Sequence, residues 1–425
     1  MEPCRGAGIS MSNFLQTLRM TLIEQLADEH TWKAFFAYKQ QLGHLSQQHE
    51  KELQQFIEGK AYLTVLDRIQ ATGFSLPQKR LISKVNSDKK RVVYTYPTAE
   101  NYLLKLLTYL LIRRYDRLFA SNLYSFRVRH GVKRAIQFLR GADNLSAKFV
   151  YKVDIHDYFN SIDVELLLPR LQRIMVDETD CFQLIADLLT NPQVVLPDGQ
   201  IICERKGIMA GVPLASFLAN LYLNDLDWHF YRQRILYARY SDDIILFASS
   251  AEEREMAIDY LHDYLQAYRL TINEKKEVVT EPHQEWTFLG VSFENGVFDV
   301  SEVSASKLKM KMRRKSRALL RWKARKGVGN DKAARAFVKV FNRKLYDNDA
   351  ENELTWSRWF FPIINTTRTL ALIDHYMQDC LRYIATEKRT KGRYRFTYEE
   401  MKALGYRNLV HEYYRIKEQK IAETN

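Results

Sequence analysis

The chain has 425 residues, 46% hydrophobic and 27% charged, with 64 Lys and Arg against 51 Asp and Glu and a formal net charge of +13. It is therefore too apolar for a disordered tail, can bury two or three packed subdomains, and carries an excess of positive charge that favours a polyanionic partner, nucleic acid or an anionic membrane surface. No stretch approaches the roughly 20 apolar residues of a membrane span, and "MEPCRGAGIS" at the start lacks the apolar core of a signal peptide, so a cytoplasmic location is expected.

In chain order, residues 12–75 carry helical periodicity, as in "NFLQTLRMTLIEQLADEHTW" and "KELQQFIEGKAYLTVLDRI", and residues 1–75 read as an N-terminal helical extension. From 76 to 300, β-prone runs ("RVVYTY", "KFVYKVDI", "ARYSDDIILFA", "WTFLGVSF") alternate with helical ones ("AENYLLKLLTYLLIRRYDRLF", "EEREMAIDYLHDYLQAYRL"). That alternation predicts an α+β core around a mostly antiparallel sheet. After "ENGVFDVS" the composition becomes helical and basic, which sets a boundary near residue 300 and leaves 301–425 as a basic helical region. Cys4, Cys181, Cys203 and Cys380 form no C-x-x-C pair, so reduced thiols are expected rather than a zinc knuckle.

In "RYSDDIILF", residues 239–247, Asp242 and Asp243 stand side by side where two strands could reverse direction. Adjacent carboxylates repel and lose hydration inside a core. A solvated turn would meet that difficulty, and so would a bound cation. A third carboxylate, Asp154, ends the apolar run of "KFVYKVDIHDYFNSI". One carboxylate ending a strand and a pair at a hairpin tip can converge on two divalent ions. Such ions, about 4 Å apart, serve an in-line phosphoryl transfer and need hard oxygen ligands.

With these residues the chain resembles the bacterial reverse transcriptases, of the kind found in retrons and group II introns. Seven blocks occur in family order: "KVNSDKKRVVYTYP", "LFASNLYSFRVRHGVKRAI", "YKVDIHDYFNSI", "GIMAGVPLASFLANLYLNDLD", "YSDD", "LTINEKKEVV" and "WTFLGVSF". The resemblance implies a right-hand polymerase with fingers, an antiparallel palm sheet and a helical thumb. It implies Asp154, Asp242 and Asp243 as catalytic metal ligands, with the Ile155 carbonyl beside them and two Mg²⁺ ions, Mn²⁺ being a substitute. It implies that Lys84 and Arg91 grip the triphosphate of a dNTP, where a guanidinium suits bidentate binding, and that Phe159 excludes a ribose 2′-hydroxyl. For Lys89 and Lys90 a solvated turn is an equal reading. Gly211 and Pro213 shape the loop near the nascent pair, and Asn273, Lys275 and Lys276 match the sixth block, with Lys276 directed to the phosphates. The chain departs from the family at Ala210, where many relatives carry Gln, and at Ser216-Phe217 in place of Ser-Pro. These departures bear on fidelity, primer choice and template dependence.

Residues 307–326, "KLKMKMRRKSRALLRWKARK", hold eleven Lys or Arg and no acid. Leu308, Met312, Leu319 and Trp322 give a helix one apolar side. The other side, with Lys307, Lys309, Lys311, Arg313, Arg314, Lys315, Arg317 and Arg321, suits the phosphates of a duplex, and a membrane-surface helix is the competing reading. The ending, especially "ALGYRNLVHEYY", resembles the defence-associated reverse transcriptases of the single-gene type 2 class. That resemblance implies a structured non-coding RNA as template, a cDNA product, antiphage defence and no membrane partner, and leaves the oligomeric state open. Two alternatives stand beside RNA-directed DNA synthesis: an RNA-binding, maturase-like protein with an idle palm, and a template-independent or protein-primed DNA polymerase.

Overall fold

Ser, Thr and Asp residues stand immediately ahead of helically spaced apolar runs in the N-terminal region, and their side chains start the helices there. The computed structural model describes residues 20–43, 45–83, 90–346, 355–388 and 390–422. Thr21, Asp28 and Ser46 cap helices Leu22–Ala27, Glu29–Gln41 and Gln47–Glu58, each accepting a main-chain N–H of the first turn. Together with helix Ala61–Thr72 they enclose Trp32, Phe35, Tyr62 and Leu66, and these pack in one apolar cluster with the long helix Thr98–Tyr115. Truncating a buried aromatic of this kind to alanine costs about 3–5 kcal/mol.

The strands are β1 (Gln78–Ser83), β2 (Lys90–Thr95), β3 (Phe149–Asp154), β4 (Gln193–Val195), β5 (Ile201–Cys203), β6 (Leu236–Tyr240), β7 (Asp243–Ala248), β8 (Val278–Thr280), β9 (Trp286–Phe288), β10 (Val291–Glu294) and β11 (Val297–Val300). They form three sheets, ordered β2-β1-β4-β5, β6-β7-β3-β8 and β11-β10-β9. β1 and β2 are antiparallel, with Gln78 opposite Thr95 and Ser83 opposite Lys90, whereas β1 meets β4 in parallel. The architecture is α+β, as the alternation of strand-like and helical runs predicts, and the first sheet is mixed.

The chain divides into two compact units, residues 1–135 with 151–279, and residues 136–150 with 280–425. In the first unit β7 is buried almost throughout, Ile244, Ile245 and Leu246 being inaccessible. This is why its apolar run is continuous rather than alternating. Helices Ala215–Tyr222, Asn224–Arg232 and Ala251–Ala267 complete the surroundings of this sheet.

The composition changes near residue 300, where helix Glu302–Lys326 starts, and the longer segment of the second unit runs from Thr280. The meander β9–β11 is tied to the chain that follows it: Asn365 Nδ2 donates to the Gly296 carbonyl, and Thr369 Oγ1 donates to Asp299 at 2.8 Å. Helix Glu302–Lys326 buries Ala305, Leu308, Met312, Ser316 and Leu319, spaced three and four apart, and stops at Gly327 in the left-handed region with φ of 61°. It packs on helices Asn330–Leu345 and Arg368–Thr386. The buried Asp374 accepts from Tyr406 Oη and from the Leu409 and Val410 N–H groups, fixing the start of helix Leu409–Ala422. Among the described residues no helix is long and apolar enough to cross a membrane.

Candidate active site

The β6–β7 hairpin pairs Tyr240 with Asp243 and leaves Ser241 and Asp242 as its two-residue turn. Ser241 has φ of 61°, the left-handed value such a turn demands. Serine is not the easiest residue to hold there, and two bonds secure it. Its N–H donates to Ser125 Oγ at 2.9 Å, and its carbonyl accepts from Arg239 Nη1 at 3.1 Å.

Asp154 ends β3, the neighbour of β7, so the strand order brings its carboxylate to the same end of the sheet as the turn. The Ile155 N–H donates to the Asp242 carbonyl at 3.1 Å and stitches the two segments together. Burial, followed by the nearby Asp154, raises the Asp242 carboxyl above its ordinary value. Burial, then Asp242 and Asp154, push Asp243 up to about 6. Each of these shifts is the signature of carboxylates crowded in a site of low polarity.

Asp154 is oriented by the sixth block. Lys276 Nζ donates to its Oδ2 at 2.7 Å, Asn273 Nδ2 to its Oδ1 at 3.3 Å, and the Asn273 N–H to its carbonyl at 2.8 Å. Among the described residues no three His, Cys, Asp or Glu side chains are grouped so that they could together hold a metal ion, and both Asp154 oxygens are engaged by Lys276 and Asn273. The donor type suits a hard divalent cation, because the three acids offer only oxygen. The thiols Cys181 and Cys380 are buried elsewhere.

Phe159 lies half-buried on the single helical turn Tyr158–Ser161, its ring 6.4 Å from that of Phe126. The loop after Lys206 folds against this turn. Gly207 has φ of 53°, and a Cβ there would lie 2.5 Å from the Phe159 carbonyl oxygen. The Ile208 N–H donates to that same oxygen at 2.9 Å, and the Ala210 N–H to Asn160 Oδ1 at 3.0 Å. On its other side the Ala210 carbonyl accepts from the Tyr94 N–H of β2 at 2.8 Å. Gly211, with φ of 97°, lies where a Cβ would come within 3.1 Å of the Tyr94 oxygen.

Arg91 and Lys90 are exposed on β2, Arg91 opposite Ile82. Lys84 and Lys89 lie outside the described residues. In the second unit Lys307, Lys311, Arg313, Arg314, Arg317 and Arg321 are exposed along helix Glu302–Lys326, while Lys309 and Lys315 are partly covered.

Sequence reasoning missed what supports the turn. Arg239 and Asp227 are both inaccessible to solvent and form a bidentate pair, Nε to Oδ1 at 2.8 Å and Nη2 to Oδ2 at 2.5 Å. Arg239 also donates to the Asn220 carbonyl, and Asn220 Nδ2 donates to the Ser125 carbonyl at 2.8 Å. The available signal was an arginine inside a strand with apolar neighbours on both sides, "ILYARYSDDIILF". It missed Lys206 as well, which is 3% exposed and whose ammonium has no hydrogen-bond partner among the described residues.

Residues 82–293 match the family model described as reverse transcriptase (RNA-dependent DNA polymerase). The chain is 25% identical over 152 residues to the retron Ec86 reverse transcriptase of Escherichia coli, a match covering 35% of this chain and 43% of the relative. The match thus spans less than half the length of that curated relative. Among solved structures, the telomerase of Candida albicans in complex with a fragment of telomeric RNA aligns with a TM-score of 0.45 at 12% identity, over 83% of this chain and 71% of that one. The apo telomerase of Candida tropicalis gives a TM-score of 0.44 at 11% identity, over 78% and 68%.

Proposed function

We propose, for a chain that belongs through residues 82–293 to the reverse transcriptase family, that it is an RNA-directed DNA polymerase which adds deoxynucleotides to a primer along an RNA template. The observation that supports this best is the meeting of Asp154 with the Ser241–Asp242 turn through neighbouring strands and the Ile155–Asp242 bond. Reverse transcriptase domains use divalent metal ions; in this reading the ions are two Mg²⁺, held by Asp154, Asp242 and Asp243 with the Ile155 carbonyl. When bound, such cations supply charge to the attacking 3′-hydroxyl and to the departing pyrophosphate.

The chain's own groups do the remaining work. Arg91 and Lys84 take the triphosphate, and Lys276, already against Asp154, adds positive charge where phosphate oxygens arrive. Phe159 occupies the space of a ribose 2′-hydroxyl, and its helical turn is backed by the Gly207–Ala210 main chain. Residues 76–300 then act as fingers and palm. The exposed cations of helix Glu302–Lys326, in the thumb, track the sugar–phosphate backbone.

The natural template in this reading is a dedicated structured non-coding RNA, copied in antiphage defence, as the resemblance of "ALGYRNLVHEYY" suggests. The test is purified protein with its copurified RNA, Mg²⁺ and labelled dNTPs. Labelled DNA that disappears after RNase pretreatment is expected. Product that survives RNase would favour template-independent or protein-primed synthesis, and no product with any RNA would leave an RNA-binding protein with an idle palm.

A further inference from the structure

Phe126 stands out on three counts. Its backbone is left-handed, with φ of 54°, a region that costs a bulky L-residue roughly 1–2 kcal/mol. It is 38% exposed, although it is a large aromatic. Its ring lies 6.4 Å from that of Phe159 and 6.3 Å from that of Tyr240, the residue that closes the Ser241–Asp242 turn.

The strain is imposed from both sides. On one, Ser125 is fixed by Asn220 and by the Ser241 N–H. On the other, the Arg127 guanidinium reaches Asp116 and the carbonyls of Ala120 and Leu123. A backbone outlier held this firmly persists for what it presents, and what it presents is an uncovered aromatic face. Packing alone does not account for a large aromatic here, since more than a third of the residue's surface meets solvent, and a glycine at 126 would remove the strain.

We propose that Phe126, with Phe159 and Tyr240 behind it, is a stacking platform for a nucleoside next to the carboxylate turn, either the base of the incoming nucleotide or that of the primer terminus. The chemistry is the same for both, because every base has a π-face that an aromatic side chain can meet, so the contact tolerates any sequence. The proposal deepens the polymerase reading and rests on it for the identity of the nucleoside.

The test is anisotropy with two probes on the full chain: a fluorescent dNTP in the presence of a dideoxy-terminated RNA–DNA duplex and Mg²⁺, and a fluorescent RNA–DNA duplex alone. F126G is expected to match or exceed the wild-type melting temperature and to weaken one probe by about ten-fold, the size of a lost base stack. F126L keeps bulk and strain without a π-face and should bind as poorly as F126G, while F126Y should bind as wild type. Weakening of the dNTP places the platform under the incoming base; weakening of the duplex places it under the primer terminus. F126L binding like wild type, F126G losing stability with both affinities unchanged, or a wild-type chain that binds neither probe would overturn the platform. A wild-type chain that binds the probes in this manner yet makes no DNA would remove the polymerase reading and leave the platform standing.

Discussion

Replacing Asp227 with alanine would leave the Arg239 guanidinium charged, inaccessible to solvent and short of two acceptors, since Asp227 takes bonds at 2.8 and 2.5 Å. Breaking a buried pair from one side costs about 3–5 kcal/mol, and for a unit of this size that lowers the melting temperature by roughly 6–20 °C. The double variant D227L/R239M removes both charges and should recover at least half of that loss. It does not recover all of it, because the carbonyls of Ser241 and Asn220 lose a donor, at about 1–3 kcal/mol for each group left buried and unpaired. Activity should follow a different order. The double variant removes the donor to the Ser241 carbonyl, and D227A leaves that donor without the carboxylate that orients it, so primer extension should fall at least ten-fold in each. Differential scanning calorimetry beside a single-nucleotide extension assay separates the two effects. The reasoning fails if D227A unfolds within about 1 kcal/mol of wild type, or if D227L/R239M regains stability together with full extension rate.

Lys206 gives a pH test, because burial depresses its ammonium from 10.5 to about 8. A base with a depressed folded-state pKa destabilises the native state fully below about 8, and the penalty fades as pH rises toward 10.5. K206M should therefore stabilise by up to about 3 kcal/mol at pH 7, with a much smaller gain at pH 9.5 in urea unfolding; a gain that does not change with pH would show the amine to be hydrated. Gly207 and Gly199 both have positive φ, but a Cβ at 199 meets nothing within 4 Å, whereas one at 207 strikes the main chain of Phe159 and Asn160. G199A should cost about 1 kcal/mol and G207A at least twice that, and equal losses would mean that the loop shifts freely. F159V should raise the ratio of ribonucleotide to deoxyribonucleotide incorporation by ten-fold or more in a competition assay, and an equal fall in both rates would reduce Phe159 to packing.

The hairpin turn could be read from the chain because Ser-Asp-Asp interrupts two β-prone runs, and local composition sufficed. The basic helix was legible for a similar reason: Leu308, Met312 and Leu319 repeat at helical spacing over one short segment. What stayed hidden depends on residues far apart. Arg239 acquires its partner only when helix Asn224–Arg232 folds back and delivers Asp227. Ser125 and Asn220 support the turn from 116 and 21 positions upstream of Ser241, and neither position has a local pattern that points to it. The β1–β4 pairing joins Gln78 to Val195 in parallel across a long crossover, which no periodicity encodes. Lys206 carries the most solvent-seeking kind of side chain and is nonetheless buried, a placement that only the packed structure reveals.

Ala210 departs from the glutamine that many similar chains carry, and its place in the fold changes how that departure weighs. Its side chain is buried, with 1% exposure, and its peptide is held at both ends, by Asn160 on the N–H and by Tyr94 on the carbonyl. The loop is thus hung from the main chain, like a rung fixed to two uprights, and neither bond involves the side chain at 210. A larger side chain at this position must displace its buried neighbours, whereas the two main-chain bonds that set the spacing between β2 and the Phe159 turn do not depend on it. A bulkier residue at 210 therefore meets its resistance in the packing behind the loop and not in the bonds that hang it.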